Sequence, residues 1–367
     1  MMVGNFLSAH GFARGVCEEL SPRLEQAGWR VHTTSSQLLK PMRMSDMLST
    51  AWLRRFDYDI AHVDLYSGPA FHWAEAVCWL FRRLNKPFVL TLHGGGLPAF
   101  AARNPERVRK LLNFAAAVTA PSPYLQEQMA PYRKGLILLP NGLDIAAYRW
   151  RKRQPVKPNL IWLRAFHLIY DPTMAVRVMA RLKFEFPDAH LTMTGADKGD
   201  QTKQQTVALA EETGTRPMIT FQDPVRKNEV PKVLDHGDIF LNTSAVDNTP
   251  VTVLEALAAG LCVVSTNPGG IPYLLRSGEH AQLVASGDDA AMALAVRNIL
   301  RDQKVADHLQ DTSHAFVQQF DWSRVLPQWT VLLTSILEGR RPTIRLDGAR
   351  EHVAAREPQF TGGHAIQ

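Results

Sequence analysis

Short apolar runs bounded by turn residues alternate with helix-length segments along nearly the whole chain, and few folds satisfy that alternation. The runs fall at residues 3–7, 30–34, 60–63, 88–92, 117–120 and 136–139, then at 160–163, 190–194, 218–221, 239–241, 261–265 and 282–284. Runs this short and this apolar, each followed by a helix, suit parallel strands covered on both faces. Six and then six predict an α/β chain of two doubly wound parallel sheets. Such sheets bind ligands beyond the carboxyl ends of their strands, so two facing units share one cleft. The 367 residues suffice for two separate cores.

Residues 238–272, DIFLNTSAVDNTPVTVLEALAAGLCVVSTNPGGIP, carry the strongest functional signal. A buried strand passes through a polar turn into an apolar segment too long to be another strand. Thr249 stands at the expected helix N-cap and Pro250 at the first helical position, so Asn248 to Val251 should present unpaired N–H groups above the sheet. Such a helix end attracts phosphate. Asp247 and Glu255 flank it, and carboxylates accept from sugar hydroxyls. Amides for phosphate beside carboxylates for hydroxyls describe a nucleotide-sugar pocket. Taken singly, either acid reads more simply as a solvated turn residue or a helix cap.

Together with the small residues 256–260, the strand 261–265 and the Gly269-Gly270 turn, this stretch resembles the donor-site signature of the GT-B glycosyltransferases of family 4, with Asp247 where the family has its first Glu. The resemblance covers residues 2–335. It implies two Rossmann-like domains facing a central cleft: an acceptor domain at 1–150, a donor domain at 151–320 and a helix at 321–340 crossing back to the first domain. Residues 341–367 are polar and Gly-rich, and a loose tail is expected there.

Further residues acquire roles through that resemblance. The loop 8–15, at a helix N-terminus, matches the family's glycine loop, with Gly11 and Gly15 replacing an adjacent pair. It is not a GxGxxG fingerprint. His93 leaves a strand end into a glycine turn, where the family's His contacts the transferred sugar or helps order the acceptor. Alone it would read as a buried, satisfied core histidine. Arg164 occupies the place of the family arginine that holds the diphosphate, a task suited to a fixed fork of donors. Six residues later the family has a lysine and this chain has Tyr170. Val225 reaches the rim where the family holds the nucleobase by backbone groups. In the PNGLD turn, Asn141 and Asp144 are expected to brace the interdomain crossing.

Composition narrows the class. A formal charge of +6 falls short of a nucleic-acid binder. The cluster Arg149, Arg151, Lys152, Arg153 and Lys157 reads as a solvated linker. Cys17, Cys78 and Cys262 show neither disulfide nor zinc spacing. No run approaches a membrane span and no leader is apparent, so a cytoplasmic protein is expected, with peripheral membrane contact as an option. The Met- and Trp-bearing segment 40–55 reads first as a helix packed on its own sheet, and second as a membrane or lipid contact. Pro327 is expected to interrupt the last helix.

The sequence therefore predicts a retaining glycosyltransferase taking a nucleoside diphosphate sugar as substrate, with a glycan, a lipid-linked group or a small molecule as acceptor. Its expected site comprises His93, Arg164 and Asp247 as catalytic groups, and Gly11, Arg164, Val225, Asp247, Asn248, Thr249, Pro250, Val251 and Glu255 around the donor. No cofactor or metal is expected, because no DxD-like pair ends a strand. Two rivals stand beside this reading. One is a nucleotide-sugar-binding subunit without turnover, supporting a partner enzyme. The other is a sugar-nucleotide epimerase.

Overall fold

A computed structural model describes residues 1–10 and 14–340 of the chain. Twelve strands occur among them, each overlapping one of the apolar runs: β1 (Met2–Val3), β2 (Thr33–Thr34), β3 (Ala61–Leu65), β4 (Phe88–Leu92), β5 (Ala117–Ala120), β6 (Ile137–Leu138), β7 (Asn159–Leu163), β8 (His190–Thr194), β9 (Ile219–Gln222), β10 (Ile239–Asn242), β11 (Cys262–Thr266) and β12 (Gln282–Val284). They form two sheets, ordered β2-β1-β3-β4-β5-β6 and β12-β11-β10-β7-β8-β9. Every pairing is parallel. Strand order reverses between β1 and β3 in the first sheet and between β7 and β10 in the second, and crevices open at such reversals.

Each sheet carries apolar cores of its own. Val63, Leu65, Phe71, Phe81, Leu90 and Leu92 are buried about the first, and Leu160, Trp162, Phe166, Met179, Leu191 and Leu241 about the second. The helix Trp322–Leu337 leaves the second unit and buries Trp322, Val325, Trp329, Leu332 and Leu333 against Cys17, Leu20, Leu24 and Val89 of the first. It runs continuously through Pro327, contrary to the expected break. The missing proline N–H frees a single carbonyl near the helix start, which the packed apolar face tolerates.

Two other expectations need correction. In the basic run around residue 151, Arg149 and Lys157 are exposed as a solvated linker would have them, but the three basic residues between them are not free in solvent. Arg153 is 1% exposed, and its guanidinium donates to the carbonyls of Gly237 at 3.1 Å, Arg151 at 2.8 Å and Leu234 at 3.4 Å, and also to that of Ala259. Arg151 and Lys152 pair with Asp235 and Asp311. A guanidinium has enough donors to gather helix-end carbonyls that would otherwise be buried unpaired. In the PNGLD turn, Asp144 makes no cap bond. Asp321 supplies it instead, accepting from Ile145 N at 3.2 Å, while Leu143 bonds to Phe320 and Trp322.

The helix Lys40–Leu53 packs Met47 and Ala51 into the first core, as the simpler reading expects. Its other face leaves Met42, Trp52 and Leu53 exposed, with Leu39 and Phe56 exposed beyond its ends.

Candidate active site in the cleft

A cavity of about 380 Å³ lies between the two sheets, at their strand carboxyl ends. From the first unit it is lined by His93, Gly94, Gly95, Gly96, Pro121 and Asn141, and from the second by Ile169, Tyr170, Val246, Asp247, Asn248 and Thr249. The two walls touch: Ser122 Oγ donates to Asn248 Oδ1 at 2.7 Å.

The second wall is built at the strand reversal. Arg164 follows β7 and residues 243–250 follow β10, and the two loops are tied together. Ala245 N donates to Ile169 O at 2.7 Å and Thr243 Oγ1 to Tyr170 O at 2.6 Å. The loop after β10 also rests on the double glycine. A Cβ on Gly269 would lie 2.2 Å from Asp247 O, and one on Gly270 would lie 2.2 Å from Asn248 O, so only glycine lets the two backbones meet. Gly270 N seals the contact, donating to Asp247 O at 3.0 Å.

The helix that follows spans Val251–Ala258. Its N-cap is Pro250 rather than Thr249, one residue later than expected, and no side chain caps it. Proline has no N–H to satisfy, and its carbonyl accepts from Val253 N at 3.1 Å and Leu254 N at 3.3 Å. Thr249 Oγ1 and Thr252 Oγ1 are buried without hydrogen-bond partners among the described residues. Val251 is exposed at the helix tip.

Arg164 and Asp247 form an ion pair with little solvent contact, 14% and 12% exposed in their side chains. The guanidinium lies 5.0 Å from the centre of the Tyr170 ring, and its Nε is buried without a partner among the described residues. Burial pushes the Asp247 carboxyl above the usual range, which the Arg164 charge and the 2.9 Å bond from Asn248 N only partly offset. Glu255, fully buried, accepts from Tyr148 Oη at 2.7 Å and from Lys227 Nζ. Its charge keeps the Tyr148 hydroxyl protonated, adding to the larger effect of burial. The sequence offers Arg226 and Lys227 as cations able to stand in for the family's lysine, and Lys227 is found paired with Glu255.

The remaining expected residues divide. His93 lines the cavity with its ring stacked on Tyr66, centroids 4.8 Å apart. Val225 packs against the apolar core behind β7 and β10 and is not part of the cavity lining. Gly11 lies outside the described residues. Gly15 N donates to Glu18 Oε2 at 3.2 Å, and Ser8 donates twice to Glu18 Oε1, so Glu18 fastens both ends of that loop.

Comparison with known proteins agrees with this architecture. Residues 149–315 match the family model described as glycosyl transferases group 1, and residues 16–147 the one described as glycosyltransferase family 4. Among curated relatives, the D-inositol 3-phosphate glycosyltransferase of Mycobacterium ulcerans is 25% identical over 59% of this chain and 49% of its own length. The phosphatidyl-myo-inositol mannosyltransferase of Mycobacterium leprae is 22% identical over 76% of this chain and 73% of its own. The match to the first of these spans about half that relative's length. Among solved structures, the sucrose-phosphate synthase of Thermosynechococcus elongatus superposes with a TM-score of 0.74 at 17% identity, covering 92% of this chain and 98% of that one. HepE of Anabaena, solved with UDP and glucose, gives 0.69 at 19% identity, covering 88% and 90%.

Proposed function

This chain belongs to the group 1, family 4 glycosyltransferases of GT-B fold, and on that footing we propose that it moves a sugar from a nucleoside diphosphate donor to an acceptor hydroxyl with retention of configuration. What supports the proposal is the ion pair between Arg164 and the cavity-lining Asp247, on the loop that leads through Asn248 and Thr249 into the uncapped helix Val251–Ala258. The diphosphate takes the tip amides and the Arg164 fork. Asp247 takes hydroxyls of the transferred sugar and Glu255 those of the ribose. His93 faces the transferred sugar from the opposite wall, and backbone near Val225 holds the base. Negative charge develops on the departing diphosphate, so donors fixed there in advance are the main catalytic lever. The scheme requires neither metal nor cofactor. No side chain is placed as a nucleophile, and a same-face transfer in which the leaving phosphate takes the acceptor's proton is the proposed route.

Neighbouring proteins suggest where to begin. HepE was solved with UDP and glucose, and the pneumococcal O-GlcNAc transferase GtfA with UDP and GlcNAc. The curated relatives are named for inositol phosphates and phosphatidylinositol. The test incubates the chain with UDP-glucose or UDP-GlcNAc, alone and with inositol phosphates or phosphatidylinositol, follows UDP release, and reads the product's anomeric configuration by NMR. Acceptor-dependent release with retained configuration is expected. Tight UDP binding without release supports a non-catalytic subunit, in keeping with Tyr170 in the family's lysine position, and donor interconversion without acceptor supports an epimerase. No helix among the described residues is long and apolar enough to cross a membrane. Peripheral contact through Leu39, Met42, Trp52, Leu53 and Phe56 is proposed instead, and co-sedimentation with anionic vesicles tests it.

A further inference from the structure

Behind the cavity wall, His93 is held by groups that have no part in the scheme above. Its Nε2 lies 2.8 Å from Asp64 Oδ1, and both side chains are more than nine-tenths buried. Tyr66 stacks on the other side of the ring, at 20° between planes. Asp64 is confined in turn. A Cβ on Gly4 would come within 2.8 Å of Asp64 Oδ2 and 2.7 Å of Cys17 Sγ, so the end of β1 leans directly on the carboxylate. Cys17 Sγ lies 3.4 Å from His62 Nδ1, His62 Nε2 lies 2.7 Å from Thr91 Oγ1, and Thr91 lies 2.7 Å from Thr119 Oγ1. Of these linked groups, His93 is the one that lines the cavity.

The buried bond between Asp64 and His93 bears on where the proton sits. Burial pushes the Asp64 carboxyl up, but His93, His62 and Cys17 together outweigh it and hold the carboxyl below its ordinary value. A carboxylate can only accept, so the hydrogen of the 2.8 Å bond belongs to His93 Nε2. In a neutral imidazole the other nitrogen is then bare. Nδ1 can accept from a hydroxyl, whereas a phosphate oxygen, itself only an acceptor, gains nothing from it.

We propose that Asp64 is a positioning residue that fixes His93 in the Nε2–H form, so that the cleft presents His93 Nδ1 as an acceptor for a substrate hydroxyl and not as a phosphate contact. This rests on the glycosyl-transfer reading for the identity of the hydroxyl, but the tautomer itself does not.

Two measurements test it. In the wild-type chain, long-range ¹H–¹⁵N correlation of the imidazoles at neutral pH, with His93 assigned through His93→Ala, is expected to give the Nε2-protonated pattern; an Nδ1-protonated pattern overturns the proposal without any Asp64 variant having to fold. In Asp64→Asn the amide can offer its NH₂ to Nε2 and drive the proton to Nδ1. Loss of a correctly protonated partner is expected to lower kcat for transfer ~10- to 100-fold, with the Kd for UDP within about threefold of wild type. Adding Asp64→Asn to His93→Ala is expected to cost nothing further, because the two act as a unit. An equal loss in the His93→Ala background makes Asp64 a structural residue only and overturns the proposal. Absence of UDP release from every wild-type donor incubation defeats the transfer reading, while the tautomer pattern still decides for or against Asp64.

Discussion

Replacing Arg164 with Met removes the guanidinium, including its contact over the Tyr170 ring, and keeps an aliphatic stem of similar length, so the consequences trace mainly to charge. On the proposed reading Arg164 makes two charge-assisted bonds to the donor diphosphate, each contributing about 1.5 kcal/mol. Their loss, about 3 kcal/mol, weakens UDP binding on the order of 100-fold. The substitution also leaves Asp247 in a site where burial already raises its carboxyl more than Arg164 lowers it. Without Arg164 the carboxyl rises further. A carboxyl whose folded pKa exceeds its unfolded value contributes stability that is complete below the unfolded pKa, ~4, and is lost as pH climbs through the folded pKa. The variant is therefore closest to wild type in acid and falls behind as pH rises. Orphaning a buried charge costs about 3–5 kcal/mol at most, since protonation caps the loss, and about 3–8 °C in Tm is expected near pH 8 with a smaller deficit near pH 5. Calorimetric titration with UDP and melting scans across pH measure both effects. A UDP Kd within threefold of wild type, or a melting deficit that widens toward acid, refutes the reasoning.

Four further substitutions separate the site from the scaffold that carries it. Gly270→Ala places a Cβ 2.2 Å from Asn248 O at an ordinary φ of −84°, so its cost comes only from displacing the loop after β10; UDP affinity should fall about tenfold or more with about 1–3 kcal/mol of stability lost to overpacking. Gly287→Ala, at φ +80° with nothing within 4 Å, should cost about 1 kcal/mol in chemical denaturation and leave UDP affinity unchanged. Glu255→Gln keeps an acceptor for the Tyr148 hydroxyl but loses the charge that pairs with Lys227 and, on the proposed reading, receives the ribose hydroxyls, so wild type should prefer UDP over deoxyuridine diphosphate about tenfold and the variant should lose that preference in competition titrations. Arg153→Met strips the donor from four carbonyls in a residue 1% exposed, and should lower stability by about 3 kcal/mol or more in a urea melt, with UDP affinity of the folded protein intact.

The fold was largely legible because its main determinant is local. Each strand is a short apolar run closed by turn residues, and even β2 and β6, two residues long, lie inside predicted runs. The candidate site was legible where a motif marks it: Arg164, Asp247 and Glu255 are 83 and 8 residues apart in sequence terms that family resemblance bridges. What that resemblance does not encode is pairing. That Arg164 bonds Asp247, and Lys227 bonds Glu255, depends on how the loops after β7, β9 and β10 converge. Arg153 was misread because RKR in a polar stretch carries no sign of the carbonyls awaiting it. Asp64 was passed over inside IAHVDL, although a charged residue in an otherwise apolar buried run is a signal in itself, because buried charges persist only when paired.

The pairings bear on how a site without the family's lysine can hold a diphosphate. Arg164 faces Asp247 and Lys227 faces Glu255, so these four side chains cancel one for one. The positive character that remains at the cavity edge is that of the uncapped helix tip at Val251, equivalent to about half an elementary charge. An arriving donor can do better than meet this residue of charge. On the proposed reading, its sugar and ribose hydroxyls donate to Asp247 and Glu255, and each such bond loosens a carboxylate's hold on its cation, freeing Arg164 and Lys227 for the phosphates. Hydroxyl recognition and phosphate recognition are thereby coupled. Free pyrophosphate, which lacks hydroxyls, should bind far more weakly than UDP even though it presents the same charged group.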